Sequence, residues 1–227
     1  NKQQQADAIW ETLFIRRTPL SEACRGVVTV LQKLGLEACA KDLRGYREWY
    51  AQQNAESFID LVFKTAGLKS VVMTNDPFDP LERPVWERRA AMDPRFHAAL
   101  RIDPLLNDWP NACAKLQGWG YAVDPAFSMT AQKEVRRFLS EWITRMKALY
   151  MAVSLPPDFA FPEDSVRAKL IETSVLPVAR EFNIPFALMI GVKRQVNPAL
   201  KLAGDGVDKA DVGALERLCA QFPWNKF

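Results

Sequence analysis

The sequence predicts an α/β protein, a partial (β/α)8 TIM barrel of about four to five parallel strand–helix units preceded by a helical region. Three observations lead there. From Leu68 onward, short apolar or β-branched runs alternate with helical patterns, the rhythm of βαβ units. The first 66 residues carry helical spacing and no convincing strand. Polar residues gather just beyond the run at Pro185–Ile190, at the strand end where parallel sheets bind ligands. No GxGxxG follows any strand, so a dinucleotide fold is poorly supported.

Taken in order, residues 1–66 form a helical insertion region and residues 67–227 the strands and helices of the barrel. In the first part, Ala8, Ile9, Leu13 and Phe14 share a helical face. Ser21 is an N-cap for a helix running to a stop at Gly35. A third helix covers roughly 38–50, and a fourth runs from Ala55 to Ala66 and ends at Gly67. The first strand is Lys69–Thr74, closed by Asn75, Asp76 and Pro77, with a helical segment at about 81–92. His97–Ile102 is the second strand, stopped by Asp103-Pro104, and Trp109–Trp119 is helical. The clearest helix carries Val135, Phe138, Leu139, Trp142, Ile143 and Met146 at three- and four-residue spacing, so its aromatics are packing residues. Leu149–Ser154 is the third strand, and Ser165–Phe182 an amphipathic helix. Pro185–Ile190 reads as a strand buried on both faces. A last helix spans about 211–221, and the closing WNKF looks like the approach to one more strand.

Eight strand–helix units need about 250 residues, and four leave unpaired parallel edges. With Asn1 in place of an initiator methionine, the expectation is an internal piece of a longer barrel. A complete α/β domain with its edges covered by the helical layer is the other reading.

Composition narrows the function classes. The chain has 227 residues, 48% hydrophobic and 25% charged, with a net charge of +3 and acids interleaved among the bases. That pattern favours neither nucleic acid nor an anionic membrane. No apolar run is long enough to span a bilayer. Cys24, Cys39, Cys113 and Cys219 lack metal or redox spacing and read as small buried thiols of a cytoplasmic protein. One histidine, His97, cannot build a polyhistidine zinc site, and it begins its strand away from the expected site.

The candidate binding residues follow from strand ends. Arg194 offers a planar fork for a carboxylate, unless Asp205 or Asp208 pairs with it. Gln195 and Asn197 can serve hydroxyls, although Asn197 before Pro198 also suits a turn. Asp76 can accept from a hydroxyl or position an arginine, or cap its loop ahead of Pro77. Arg101 and Asp103 end the second strand and can line the same mouth. Lys193 has no neighbour that argues for a Schiff base. Gly204–Gly206 lacks the lysine pattern of a phosphate loop.

Two stretches resemble the uronate isomerases of the amidohydrolase superfamily. VVMTNDPFD (Val71–Asp79) is similar to the strand and TDDP loop of that family, with Thr74, Asp76, Pro77 and Asp79 matching and Asn75 in place of an aspartate. FALMIGVKRQVN (Phe186–Asn197) resembles a strand ending HIGALRNNN, with Ile190, Gly191, Arg194 and Asn197 matching. Met189 stands where the family has histidine, and a thioether is only a weak acceptor. The resemblance implies aldose–ketose isomerisation of a sugar acid, or hydrolysis of a related compound. It also implies a divalent metal, usually zinc, held by a His-x-His pair and an aspartate outside this chain. Expected partners are a sugar acid or related carboxylate and a second copy of the chain. A non-catalytic barrel-derived module that binds a carboxylate or a protein is the alternative.

Overall fold

The computed structural model describes residues 1–88, 92–196 and 205–227. Two compact units divide at Lys69 and Ser70.

The unit Asn1–Lys69 is helical throughout: α1 (Lys2–Trp10), α2 (Glu22–Lys33), α3 (Leu43–Ala51) and α4 (Ala55–Ala66). Each start has a side-chain cap, from Asn1, Ser21, Asp42 and Asn54, which satisfies amide donors left open by the first turn. Gly67 ends α4 in the left-handed region at φ 66°, a conformation glycine adopts without steric cost. Trp10 stacks on Phe14 at 4.2 Å and meets the edge of Tyr46 at 5.7 Å. The expected third helix is shorter than 38–50, because a 3₁₀ turn at Ala38–Ala40 ends at Lys41 in the left-handed region.

In the unit Ser70–Phe227, β1 (Val71–Asn75), β2 (Phe96–Arg101), β3 (Met151–Leu155) and β4 (Phe186–Ile190) form one parallel sheet in the order β1-β2-β3-β4. Helices alternate with the strands: α5 (Glu82–Glu87), α6 (Asp103–Asn107), α7 (Trp109–Gly118), α8 (Met129–Met146), α9 (Val166–Leu170), α10 (Leu176–Glu181) and α11 (Val212–Gln221). The predicted α/β class and parallel order are both present. Strand limits shift by one or two residues from those expected. Of the segment expected to be helical at 81–92, α5 is the described part, and residues 89–91 lie outside the described residues.

One face of the sheet carries the core. Leu100, Met151, Val153, Leu155 and Phe186 are buried there with Val135, Phe138, Leu139, Trp142 and Ile143 of α8. The other face presents Thr74, Arg101, Ser154 and Met189. All five residues of β3 are buried, whereas in β4 only Phe186 is, and Met189 is 45% exposed. The strand buried on both faces is therefore β3, not β4 as expected. Its position between two neighbours explains the difference, since β4 closes the sheet's order.

The expected helix at 165–182 is interrupted by a π-helical turn, Ile171–Val175. Pro177 has no amide hydrogen and its ring crowds the carbonyl four residues back. That carbonyl, of Thr173, accepts from Arg136 Nε instead. At the other end of the unit, no strand forms among Trp224–Phe227. Yet Phe186 N–H donates to the Lys226 carbonyl at 2.9 Å, as Met151 N–H does to Pro185 and Val71 N–H to Arg95. Lys226 thus occupies the first rung of a ladder beside β4. Two cysteine expectations need correction: Cys24 and Cys113 are buried, but Cys39 and Cys219 are exposed, and all four are free thiols.

Candidate functional site

The loop after β1 is held by a chain of side-chain-to-backbone hydrogen bonds. Asp76 Oδ1 accepts from Phe78 N–H at 2.8 Å, an Asx turn of the kind that its place before Pro77 favours. Asp79 Oδ1 accepts from Leu81 N–H at 2.7 Å and from Glu82 N–H at 3.0 Å, which starts α5. Glu82 Oε2 reaches back to accept from Asp76 N–H at 2.9 Å and from Asn75 Nδ2 at 3.1 Å. Asn75 is buried, and its Oδ1 has no hydrogen-bond partner among the described residues.

Beside this loop, β2 ends in an ionic knot. Arg101 Nε and Nη2 donate to the two oxygens of Asp103 at 2.9 and 3.0 Å, the two-point geometry that makes arginine–carboxylate pairs strong. Asp103 Oδ1 also accepts from Ser154 N–H at 3.3 Å and lies 3.7 Å from Arg194 Nη2. One carboxylate therefore joins the ends of β2 and β3 to the segment following β4. That segment is a small antiparallel pair, β5 (Val192–Lys193) and β6 (Gly206–Val207). Arg194 Nη1 donates to Asp205 at 2.6 Å, and Asp205 also accepts from Gln195 N–H at 3.0 Å. Lys193 pairs with Asp208 at 3.1 Å.

Charges are tuned to this arrangement. The bidentate bond to Asp103 holds the Arg101 guanidinium above its ordinary range. The amide of Gln195, and then Arg194, hold the Asp205 carboxyl below the usual carboxylate value. Burial raises the Asp76 carboxyl; the Phe78 amide and then the charge of Arg101 oppose that rise. Such a carboxyl binds its proton more tightly in the native state than in the unfolded chain. Its contribution to stability is full below the ordinary value of 3.8 and is lost as pH climbs through the raised native value. Asp76→Asn keeps an oxygen for the Phe78 amide and removes the buried charge. The expected result is a higher urea midpoint than wild type at pH 7 and no difference near pH 3. An equal or lower midpoint at pH 7 would show that the attraction of Arg101 outweighs burial.

Two adjoining clefts open at these strand ends. A space of about 800 Å³ is bordered by Arg101, Asp103, Asn107, Lys115, Ser154, Arg167 and Arg194 among others. A shallower one of about 550 Å³ is lined by Thr74, Arg101, Ser154, Met189, Arg194 and Asp205 with others. Of the residues anticipated from sequence, Arg101, Asp103, Arg194 and Met189 border these clefts, and Asp76 lies within electrostatic reach of Arg101 and Asp103. Arg194 carries the Asp205 partner expected as its alternative role. Asn197 lies outside the described residues, as does Gly204 of the glycine-rich loop. His97 is the second residue of β2, at the opposite end from Arg101. Sequence reasoning passed over Ser154, Asn107, Lys115 and Arg167. Ser154 was within reach of the same strand-end rule, since it is the last residue but one of β3. The other three stand on helices whose placement decides their role.

Among the described residues no three His, Cys, Asp or Glu side chains form a group able to hold a metal ion. The divalent metal that the motifs imply has its expected ligands outside this chain, and no step here runs through one. No helix among the described residues is long and apolar enough to cross a membrane.

No family model and no curated protein matches the chain. Solved structures do. A uronate isomerase from Bacillus halodurans is 52% identical with a TM-score of 0.96, over 100% of this chain and 54% of that one. A glucuronate isomerase from Caulobacter crescentus is 15% identical with a TM-score of 0.59, over 82% of this chain and 46% of that one. A uronate isomerase from Thermotoga maritima is 16% identical with a TM-score of 0.53, over 70% and 42%. The last two likenesses concern the fold alone. The chain thus spans about half the length of the isomerases it matches, and the resemblance read from its two motifs extends over all of it.

Proposed function

We propose that this chain, uronate-isomerase-like along its whole length, supplies the carboxylate-recognising part of an enzyme that interconverts an aldose uronate and a ketose uronate. The observation that supports this most is the pair of guanidiniums, Arg101 and Arg194, brought to one cleft from the end of β2 and from the segment after β4. They come from residues almost a hundred apart in sequence, and both face the strand ends where parallel sheets hold ligands.

Isomerisation moves a proton between C1 and C2 and shifts charge between the two oxygens on those carbons. The residues gathered here bind and orient. Arg194 spends Nη1 on Asp205 and holds Nη2 near Asp103, so a substrate carboxylate competes for a fork that is already partly engaged. Arg101 spends Nε and one N–H of Nη2 on Asp103, which leaves its other N–H groups for a ligand. Asp76 can accept from a sugar hydroxyl. The base for C2 is not assigned to any residue here. A divalent metal, held by ligands outside this chain, would add the amidohydrolase-type polarisation of the sugar oxygens.

Arg194→Ala in the whole protein that carries this chain tests the assignment. KM for hexuronates should rise about tenfold, because one exposed charge-assisted contact is lost, with a smaller change in kcat. Unchanged binding and turnover would remove Arg194 from the site. Wild-type protein that binds uronates without converting them would favour the binding-module reading, to which Met189 at a histidine position lends support.

A further inference from the structure

Resting on the carboxylate reading above, we infer that Asp103 is a positioning residue that sets the site's selectivity for an acidic over a neutral sugar, by fixing the Arg101 guanidinium and holding Arg194 beside it. Three observations carry this. Asp103 takes Nε and one N–H of Nη2 of Arg101, so the planar guanidinium is held at two points and its remaining N–H groups make no other hydrogen bond among the described residues. The same carboxylate is tied to the sheet by Ser154 N–H, so its position follows the backbone of β3 rather than a mobile loop. Its side chain is only 15% exposed, against 34% for Arg101 and 52% for Arg194.

The sequence explains why an aspartate stands there. Asp103-Pro104 opens α6 directly after β2, so the short side chain folds back over the strand end it has just left. Arg101, two residues earlier, projects from the strand's last position toward that carboxylate. A ligand carboxylate then meets two cations whose geometry is already set, and loses less entropy in fixing them.

A competing view makes the opposite prediction. If Asp103 merely neutralises Arg101, it competes with the ligand, and removing its charge should tighten uronate binding. If it positions, removal should loosen it. The experiment measures, in the whole protein, affinity for a hexuronate and for the corresponding neutral aldose, with wild type, Asp103→Asn and Asp103→Glu. The amide keeps an acceptor for Ser154 but cannot receive two donors from Arg101 at full charge. The longer acid keeps the charge and moves it by one methylene. The expected result is a uronate-over-aldose preference reduced about 10- to 100-fold in both variants, the range for loss of an orienting partner, with the affinity for the neutral sugar nearly unchanged. If Asp103→Asn fails to fold, Asp103→Glu alone decides. A preference that is unchanged or increased in the folded variants overturns the inference and leaves the proposed function standing. A wild-type protein without preference for the acid overturns both.

Discussion

Phe138→Ala should lower the stability of the unit Ser70–Phe227 by about 3–5 kcal/mol, the cost of removing a buried aromatic ring. Phe138 is fully buried on α8. Its ring centroid lies 5.4 Å from Phe78, 5.5 Å from Tyr121, 6.2 Å from Trp142 and 6.4 Å from Trp119. Two of these rings, Trp119 and Trp142, pack directly on a cation. The Arg83 guanidinium sits 3.6 Å above Trp119 and 5.0 Å from Trp142, pairs with Glu87 at 2.8 Å, and leaves Nη1 without a hydrogen-bond partner among the described residues. Burial lowers its affinity for a proton and the charge of Glu87 opposes that, while the aromatic faces add cation–π attraction. Arg83 follows Glu82, which grips the Asn75-Asp76 loop, so loosening the rings around Arg83 should loosen that loop too. Urea denaturation should show the loss, and amide exchange at Asp76 should quicken with it. A loss below about 1 kcal/mol would mean that the ring layer collapses into the space.

The α8 stripe was plain in the sequence because its apolar residues recur at helical spacing over 18 residues, and a pattern that long has no strand alternative. The strands were legible as elements but not in their burial. Nothing in Pro185–Ile190 distinguishes a central strand from one at the end of the sheet order, so β4 was credited with the burial that belongs to β3. The Arg83 sandwich was invisible for a related reason. An arginine in a segment rich in Glu and Arg reads as a solvated face, and only the arrival of Trp119 from the end of α7 and Trp142 from α8 covers most of it. At the candidate site, the strand-end rule brings Asp76, Arg101, Asp103 and Arg194 near one another because where strands end is a property of topology. Which of them share a partner is a property of distances. Arg101 and Asp103, two residues apart on either side of a strand stop, could have been paired from sequence. Asp103 and Ser154, 51 apart, could not.

Arg101→Ala should be the most damaging single change in the candidate site, weakening hexuronate binding about 100- to 1000-fold. Each charge-assisted hydrogen bond to a carboxylate contributes about 1.5–3 kcal/mol, and each 1.4 kcal/mol is tenfold in affinity. Removing Arg101 also leaves Asp103, 15% exposed, with the Ser154 amide and Arg194 at 3.7 Å to balance it among the described residues. Its uncompensated negative charge then repels a ligand carboxylate from the same cleft. This second term separates two substitutions that composition alone would treat as alike. Arg101→Lys restores the positive charge but, as a point charge without a fork, cannot hold Asp103 at two points. Lysine should therefore recover the part of the loss due to repulsion and not the part due to geometry, placing its affinity between those of wild type and alanine. Isothermal titration of the three proteins with a hexuronate decides this, with circular dichroism confirming that each is folded. Lysine equal to wild type would reduce the role of Arg101 to its charge, and alanine within threefold of wild type would place the carboxylate elsewhere.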